Sequence, residues 1–252
     1  MAGNEKKMLI FFLKEKKQCR SLKYLGKINS IKILYKKELI EVTFDNIEKF
    51  HSDDSRKKAD VLINGKGCSL KQKGGSFLFN RLLKRDIEDF FNKFFSPKKS
   101  KNIIDKIDNK IKECHSGKIK QNFNFLDVMT EIEFKKVLYY LMTEGSPNFG
   151  KSNAAAEFII EGEKNIKTSQ DISIFKFDEY FQKNKDKITF RIYRQFYGNK
   201  SKTEHNRAKR ILSDDRNKAW CFDDIVGSPK AWRTEVDEKD RKTVYMLSLQ
   251  KL

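Results

Sequence analysis

Cysteine and histidine are few and scattered. The four cysteines (Cys19, Cys68, Cys114, Cys221) form no Cys-x-x-Cys pair, and the three histidines (His51, His115, His205) complete no zinc-ligand spacing. That pattern excludes a zinc finger or ribbon and reads as free thiols in a reducing compartment. No serine or cysteine nucleophile stands with a recognisable histidine partner, so a hydrolytic triad is not expected. Long apolar runs are missing too. Met8–Leu13 (MLIFFL) is too short to span a bilayer and lacks a small-residue cleavage site, so neither an anchor nor a signal peptide is implied and the expected location is cytoplasmic. Internal repeats and low-complexity linkers are absent, and 252 residues suffice for a core without a structural staple.

What the chain has in excess is positive charge. Fifty-four Lys and Arg against thirty-five Asp and Glu leave +19, while 21 Phe, 8 Tyr and 38% hydrophobic residues mark a folded protein rather than a basic tail. Self-repulsion of this size points to a polyanionic partner, of which nucleic acid is the commonest. A lysine-rich proteome raises the charge of any protein in the same way, so the balance alone does not decide between the two.

Hydropathy patterning predicts a mixed α/β protein. IKILY and ELIEVTF read as strands, or as a short helix followed by a strand. Phe77–Phe95 places Phe79, Leu82, Leu83, Ile87, Phe90 and Phe94 at helical spacings. Further helices are predicted over Lys101–Glu113, about Leu126–Met142 and Glu179–Asn184, and strands over EFIIEG, ISIFKF, KITFRIYRQFYG and TVYMLSLQ. The simplest plan is one domain over 1–252, with a core at about 30–145 and a basic C-terminal portion at about 146–252.

The most informative stretch is Lys57–Ser76, KKADVLINGKGCSLKQKGGS. Asn64-Gly65 or Gly65-Lys66 supplies a tight turn, since both residue types tolerate positive φ. Either choice gives the same parity: Asp60, Ser69 and Lys71 on one face, Val61, Ile63, Cys68 and Leu70 on the other. The apolar face seats the hairpin on a core. The polar face offers a carboxylate and an ammonium to one bound phosphate. An aspartate with neighbouring carbonyls can hold magnesium, and a lysine can stabilise charge developing on a phosphodiester.

Asp60, the short hairpin and Ser69-Leu70-Lys71, continuing as SLKQKGGSFLFN, resemble the core of the PD-(D/E)XK nucleases, in particular type II restriction endonucleases whose strand reads Ser-x-Lys. The resemblance covers about thirty residues. It implies a restriction-endonuclease-like fold, a central mixed sheet flanked by helices, and Mg2+-dependent hydrolysis of double-stranded DNA, probing a short site as a homodimer. Asp60 and the backbone of Leu70 would ligate the metal, Lys71 would face the scissile phosphate, Gln72 would orient water and Lys73 would contact DNA. Two departures stand out. Ala59 replaces the family's proline, and Ser69 stands where most members have a carboxylate, a weaker ligand for magnesium. Glu48, in DNIEKF, is the first candidate for the missing acid; Asp53 and Asp54 come next.

Two other segments compete for a role. Gly145–Ser152, GSPNFGKS, matches the phosphate-loop pattern G-x-x-x-x-G-K-[ST]. That loop belongs between a buried strand and a helix, whereas FKKVLYYLMTE before it reads as a helix end, so a nucleotide hydrolase is the alternative enzyme class. Arg191–Arg210 interleaves basic and aromatic residues with little acid. Arg191, Arg194, Lys200, Lys202, Arg207, Lys209 and Arg210 are the candidate DNA contacts. With the hairpin idle, the chain would be a non-enzymatic basic nucleic-acid-binding protein. Trp220 and Trp232 read as packing residues.

Overall fold

A computed structural model describes residues 3–50, 57–74, 78–147, 150–229 and 231–252. The chain forms two compact units, the first from Met1–Phe77 and Leu138–Asp186, the second from Leu78–Val137 and Lys187–Leu252. The units interleave along the sequence instead of meeting at 145/146.

In chain order the elements are α1 (Gly3–Lys17), β1 (Ser21–Leu22), β2 (Gly26–Lys27), β3 (Ile31–Tyr35), β4 (Glu38–Glu41), β5 (Val61–Ile63), β6 (Lys66–Gln72) and β7 (Leu78–Leu82). There follow α2 (Lys84–Asn92), α3 (Pro97–His115), β8 (Asn122–Asn124), α4 (Glu131–Tyr139), β9 (Gly145–Ser146), β10 (Gly150–Lys151), β11 (Phe158–Gly162) and β12 (Ile172–Phe175). The last are α5 (Phe177–Asn184), β13 (Ile188–Tyr197), α6 (Lys202–Leu212), β14 (Cys221–Phe222) and β15 (Lys242–Lys251). The protein is mixed α/β, as the patterning predicts. Among the described residues no helix is long and apolar enough to cross a membrane.

The first unit is organised by a six-stranded mixed sheet of order β12-β11-β6-β5-β3-β4, in which β11 runs parallel to β6 and the other pairs are antiparallel. Strand alternation sends Val61, Ile63, Cys68, Leu70, Phe158, Ile160, Ile172 and Ile174 into one core with Met8, Leu9, Phe11 and Phe12 of α1. The apolar run near the start is therefore a core helix. Each such side chain contributes about 1.5–3 kcal/mol when fully buried, so this packing fixes which face of β6 is left for chemistry.

In the second unit β13 and β15 pair antiparallel over their full lengths, Ile188↔Lys251 to Tyr197↔Lys242, with β8 on the outer side of β13 and β14 and β7 on β15. Ala208 and Ile211 of α6 pack on Val244 and Met246. Trp220 is fully buried, its indole N–H donating to Asp108 Oδ1 at 2.8 Å, in keeping with a packing role.

Two predicted helices are shorter than their spacing suggests. Leu78–Leu82 is a strand because β15 offers it a ladder, Leu247↔Leu82 and Gln250↔Leu78. Backbone pairing there overrides helical spacing, and α2 starts only after Leu83, which is extended at ψ 156. The helix predicted from Leu126 starts at Glu131, where Thr130 and Glu133 exchange hydrogen bonds in a capping box. It continues past Tyr139 as a π-helical turn over Tyr140–Glu144.

Candidate active site

The hairpin turns at Asn64-Gly65, since Ile63 pairs with Lys66. Both residues have positive φ, 51° and 79°, the geometry of a type I′ turn. Asn64 also fastens the turn to the preceding loop: its Oδ1 accepts from the N–H groups of Asn29 and Ser30, and its Nδ2 donates to the carbonyls of Leu25 and Lys27. Gly67 is required by close approach. A Cβ there would lie 2.0 Å from the Ala155 carbonyl oxygen.

Asp60 enters at the mouth of this hairpin. Its N–H donates to the Cys68 carbonyl at 2.9 Å, and its Oδ2 accepts from the Leu70 N–H at 2.7 Å and the Ser69 hydroxyl at 3.3 Å. Lys71 Nζ lies 3.7 Å from the same oxygen, with each side chain about a quarter exposed (25% and 27%). The residues expected on the polar face thus meet there. A strand residue directs its N–H and C=O to the same edge, so the Leu70 carbonyl leaves β6 on the Asp60 side, beyond the start of β5. Ser69 is 2% exposed and holds the carboxylate in place.

Two residues join this group that the sequence did not single out. Glu161 of β11 pairs in register with Lys71 and shares its face, opposite the core against α1. It is 2% exposed and close enough to Tyr180 of α5 that its charge adds to burial in raising the Tyr180 pKa. Lys58 is the other. Burial above all, then the charge of Lys71, pulls its ammonium down to about 8, with Asp60 opposing the shift. The only sequence signal for Glu161 is an acid inside the apolar EFIIEG run.

Glu48 is not brought to this cluster. It sits in a 3-10 turn, 72% exposed, and pairs with Lys6 of α1, the helix that covers the opposite face of the sheet. Asp53 and Asp54 lie outside the described residues. Gln72 ends β6 exposed to solvent, and Lys73 is engaged by Glu163 Oε1 at 2.6 Å.

The residues present suit magnesium in kind: two carboxylates, Asp60 and Glu161, a hydroxyl and a strand carbonyl are all hard oxygen donors, and magnesium takes one or two carboxylates with water and phosphate completing the shell. Among the described residues no cluster of three or more His, Cys, Asp or Glu is arranged to hold a metal. An ion placed here would draw the rest of its shell from substrate and solvent oxygens.

The described residues of GSPNFGKS do not sit between a strand and a helix. β9 and β10 pair as Gly145↔Lys151 and Ser146↔Gly150, a π-helical turn precedes them, and among the described residues the next element is the strand β11. The end of the motif and the residues after it meet the hairpin instead: the Ser152 hydroxyl accepts from the N–H of Lys58, and the Ala154 carbonyl accepts from the N–H groups of Lys58 and Ala59.

The expected DNA contacts other than Lys73 all belong to the second unit. Arg191 and Arg194 lie on β13, Lys200 is exposed just after it, and Lys202, Arg207, Lys209 and Arg210 lie on α6. Arg207 donates to Gln195 Oε1 at 3.3 Å. Burial, followed by the charges of Arg81 and Arg210, lowers its pKa, as expected where guanidiniums crowd together.

No family model, curated protein or solved structure matches the chain.

Proposed function

We propose that the protein is a magnesium-dependent endonuclease that hydrolyses phosphodiester bonds in double-stranded DNA, of the PD-(D/E)XK kind and similar to a type II restriction enzyme. The observation that carries this reading is the convergence of Asp60, Ser69, Lys71 and Glu161 on one face of β6 and its neighbours. In it, Glu161 takes the part first sought in Glu48. Asp60, Glu161 and the Leu70 carbonyl would hold the ion, which when bound polarises the phosphodiester and lowers the pKa of an attacking water. Ser69 orients Asp60 through its hydroxyl. Lys71 places positive charge where negative charge develops on the phosphoryl oxygens. A homodimer would match a two-fold target site.

The test is incubation of the protein with a long DNA of known sequence, with magnesium and with EDTA. Discrete fragments that vanish with EDTA are expected. Intact DNA across several divalent metals would overturn the reading and favour a protein that binds without cutting.

A further inference from the structure

β8 pairs with β13 only as far as Asn122↔Arg191, and where it ends a cleft of about 570 Å3 opens in the second unit. Its walls include Lys120, Gln121, Asn122, Arg191 and Arg194 and contain no carboxylate. Alternation along β13 sends Arg191 and Arg194 to opposite faces, so they flank the cleft from two sides.

The state of these cations is informative. Arg191 lies across from Asn122 on one side and Ser248 on the other, so the three share a face. Its Nη1 donates to Gln250 Oε1 at 2.7 Å, yet its buried Nε has no protein acceptor, and the buried Ser248 hydroxyl also lacks a partner. Arg194 lies over the Phe196 ring at 5.5 Å and is held against Gly227, where an added Cβ would lie 2.5 Å from Nη2. Lys120 stands exposed at the rim. Among the described residues none of the three forms an ion pair; the nearby Asp224 carboxylate engages His115 at 3.4 Å. Partly buried guanidiniums set among neutral groups lack the compensation that a carboxylate normally gives, and a phosphate supplies it with bidentate geometry.

We propose that this cleft is a nucleotide subsite, holding a phosphate on Arg191, Arg194 and Lys120 with the Asn122 amide beside it for the sugar or base edge. Its volume falls within the range of small-molecule sites. The phosphate belongs to a free nucleotide or to one unit of a polynucleotide chain. The proposal stands apart from the hairpin chemistry and holds whether or not the first unit cuts DNA.

The test is calorimetric titration of the full chain carrying Asp60→Asn, so that no substrate is consumed, with a deoxynucleoside, its 5′-monophosphate and a short duplex DNA. Binding of the monophosphate about tenfold or more above the nucleoside is expected if the free nucleotide is the ligand. Binding of the duplex alone assigns the subsite to a chain phosphate. In either case Arg194→Gln and Lys120→Ala should each weaken the ligand that binds, by about tenfold and a few-fold. Lys120 is on the rim and its loss does not touch the core, so its variant reports binding even if an arginine variant misfolds. Unchanged affinity for both ligands in the Lys120 and Arg194 variants, or no binding of either ligand, would overturn the subsite.

Discussion

The six-stranded sheet of the first unit and the β13–α6 region of the second hold positive charge in different ways, although ion pairs such as Lys84–Asp108 and Arg85–Asp214 occur elsewhere in the second unit. In the first, lysines around the sheet are matched to acids: Lys71 to Asp60, Lys73 to Glu163, Lys16 to Glu41 and Lys6 to Glu48. In the second, the basic groups of β13 and α6 lean on neutral groups, Arg191 on the Gln250 oxygen, Arg194 on the Phe196 ring and Arg207 on the Gln195 oxygen. Exposed ion pairs add little stability, so their value in the first unit lies in positioning. Unmatched guanidiniums raise the local potential, and their value lies in attracting an anion. A single net charge of +19 conceals these two arrangements.

The contrast breaks most sharply at the hairpin. Asp60→Asn keeps size and removes the charge that pairs with Lys71 and, in the proposed reading, would hold the divalent ion; Lys71→Ala removes the cation proposed to face the phosphate. Each variant is expected to lose about a thousandfold in cleavage rate while retaining DNA affinity, because the arginines of β13 and α6 that rest on neutral groups are untouched. Cleavage assays alongside gel-shift titrations separate the two. Full cleavage by either variant would remove this site from the reaction.

The acids of the first unit provide the next test. Glu161→Gln, next to Lys71, should cost about a hundredfold or more in rate and raise the magnesium requirement. Glu48→Gln should change the rate less than about twofold, since it removes only an exposed pair with Lys6. Magnesium titration of cleavage by the two variants reads the comparison directly, and equal effects would leave the ligand assignment without support.

These expectations also mark what the sequence can and cannot carry. The polar face of the hairpin was legible because Asn64-Gly65 and strict alternation act over a few residues, and one turn fixes the parity of Asp60, Ser69 and Lys71. Glu161 was not, because its place beside Lys71 depends on a parallel register between β6 and a distant β11. Nearness in sequence favoured Glu48 instead. β7 was hidden for a related reason: its leucines suit a helix, and only the partner strand β15 selects the extended form. The interleaving of the two units leaves no shift in composition at 77/78, 137/138 or 186/187 to announce it.

Lys58 yields a smaller effect, on stability. Its folded pKa lies at about 8, below the ordinary lysine value of 10.5. The unfolded chain therefore binds more protons between these values, and stability rises as pH increases from about 8 towards 10.5. At neutral pH the buried ammonium is a cost of roughly 1–2 kcal/mol after allowance for partial exposure. Lys58→Met should raise the melting temperature at pH 7 by several degrees, about 2–4 °C per kcal/mol, and flatten its rise at high pH. Melting curves across pH 7–10 check the sign, and an unchanged slope would show that the charge is better solvated than its surroundings suggest.

The smallest expected effect falls where a sequence pattern would place the largest. In a phosphate loop the lysine of GSPNFGKS is indispensable and its neighbouring serine binds the metal of the nucleotide. Here Lys151 is exposed on a two-residue strand, whereas the Ser152 hydroxyl accepts from the Lys58 N–H at 3.1 Å, beside the approach to Asp60. The order of importance should therefore invert. Lys151→Ala should leave cleavage and stability unchanged, with no nucleotide requirement, because the side chain bears on neither the hairpin nor the sheet. Ser152→Ala removes a hydroxyl that accepts from the Lys58 and Ala154 N–H groups and donates to the Ala154 carbonyl; it should lower stability by about 0.5–1.5 kcal/mol per bond lost and slow cleavage modestly as the entrance to β5 loosens. Paired melting and cleavage measurements decide it. An ATP-dependent reaction lost with Lys151 would return the site to the nucleotide reading.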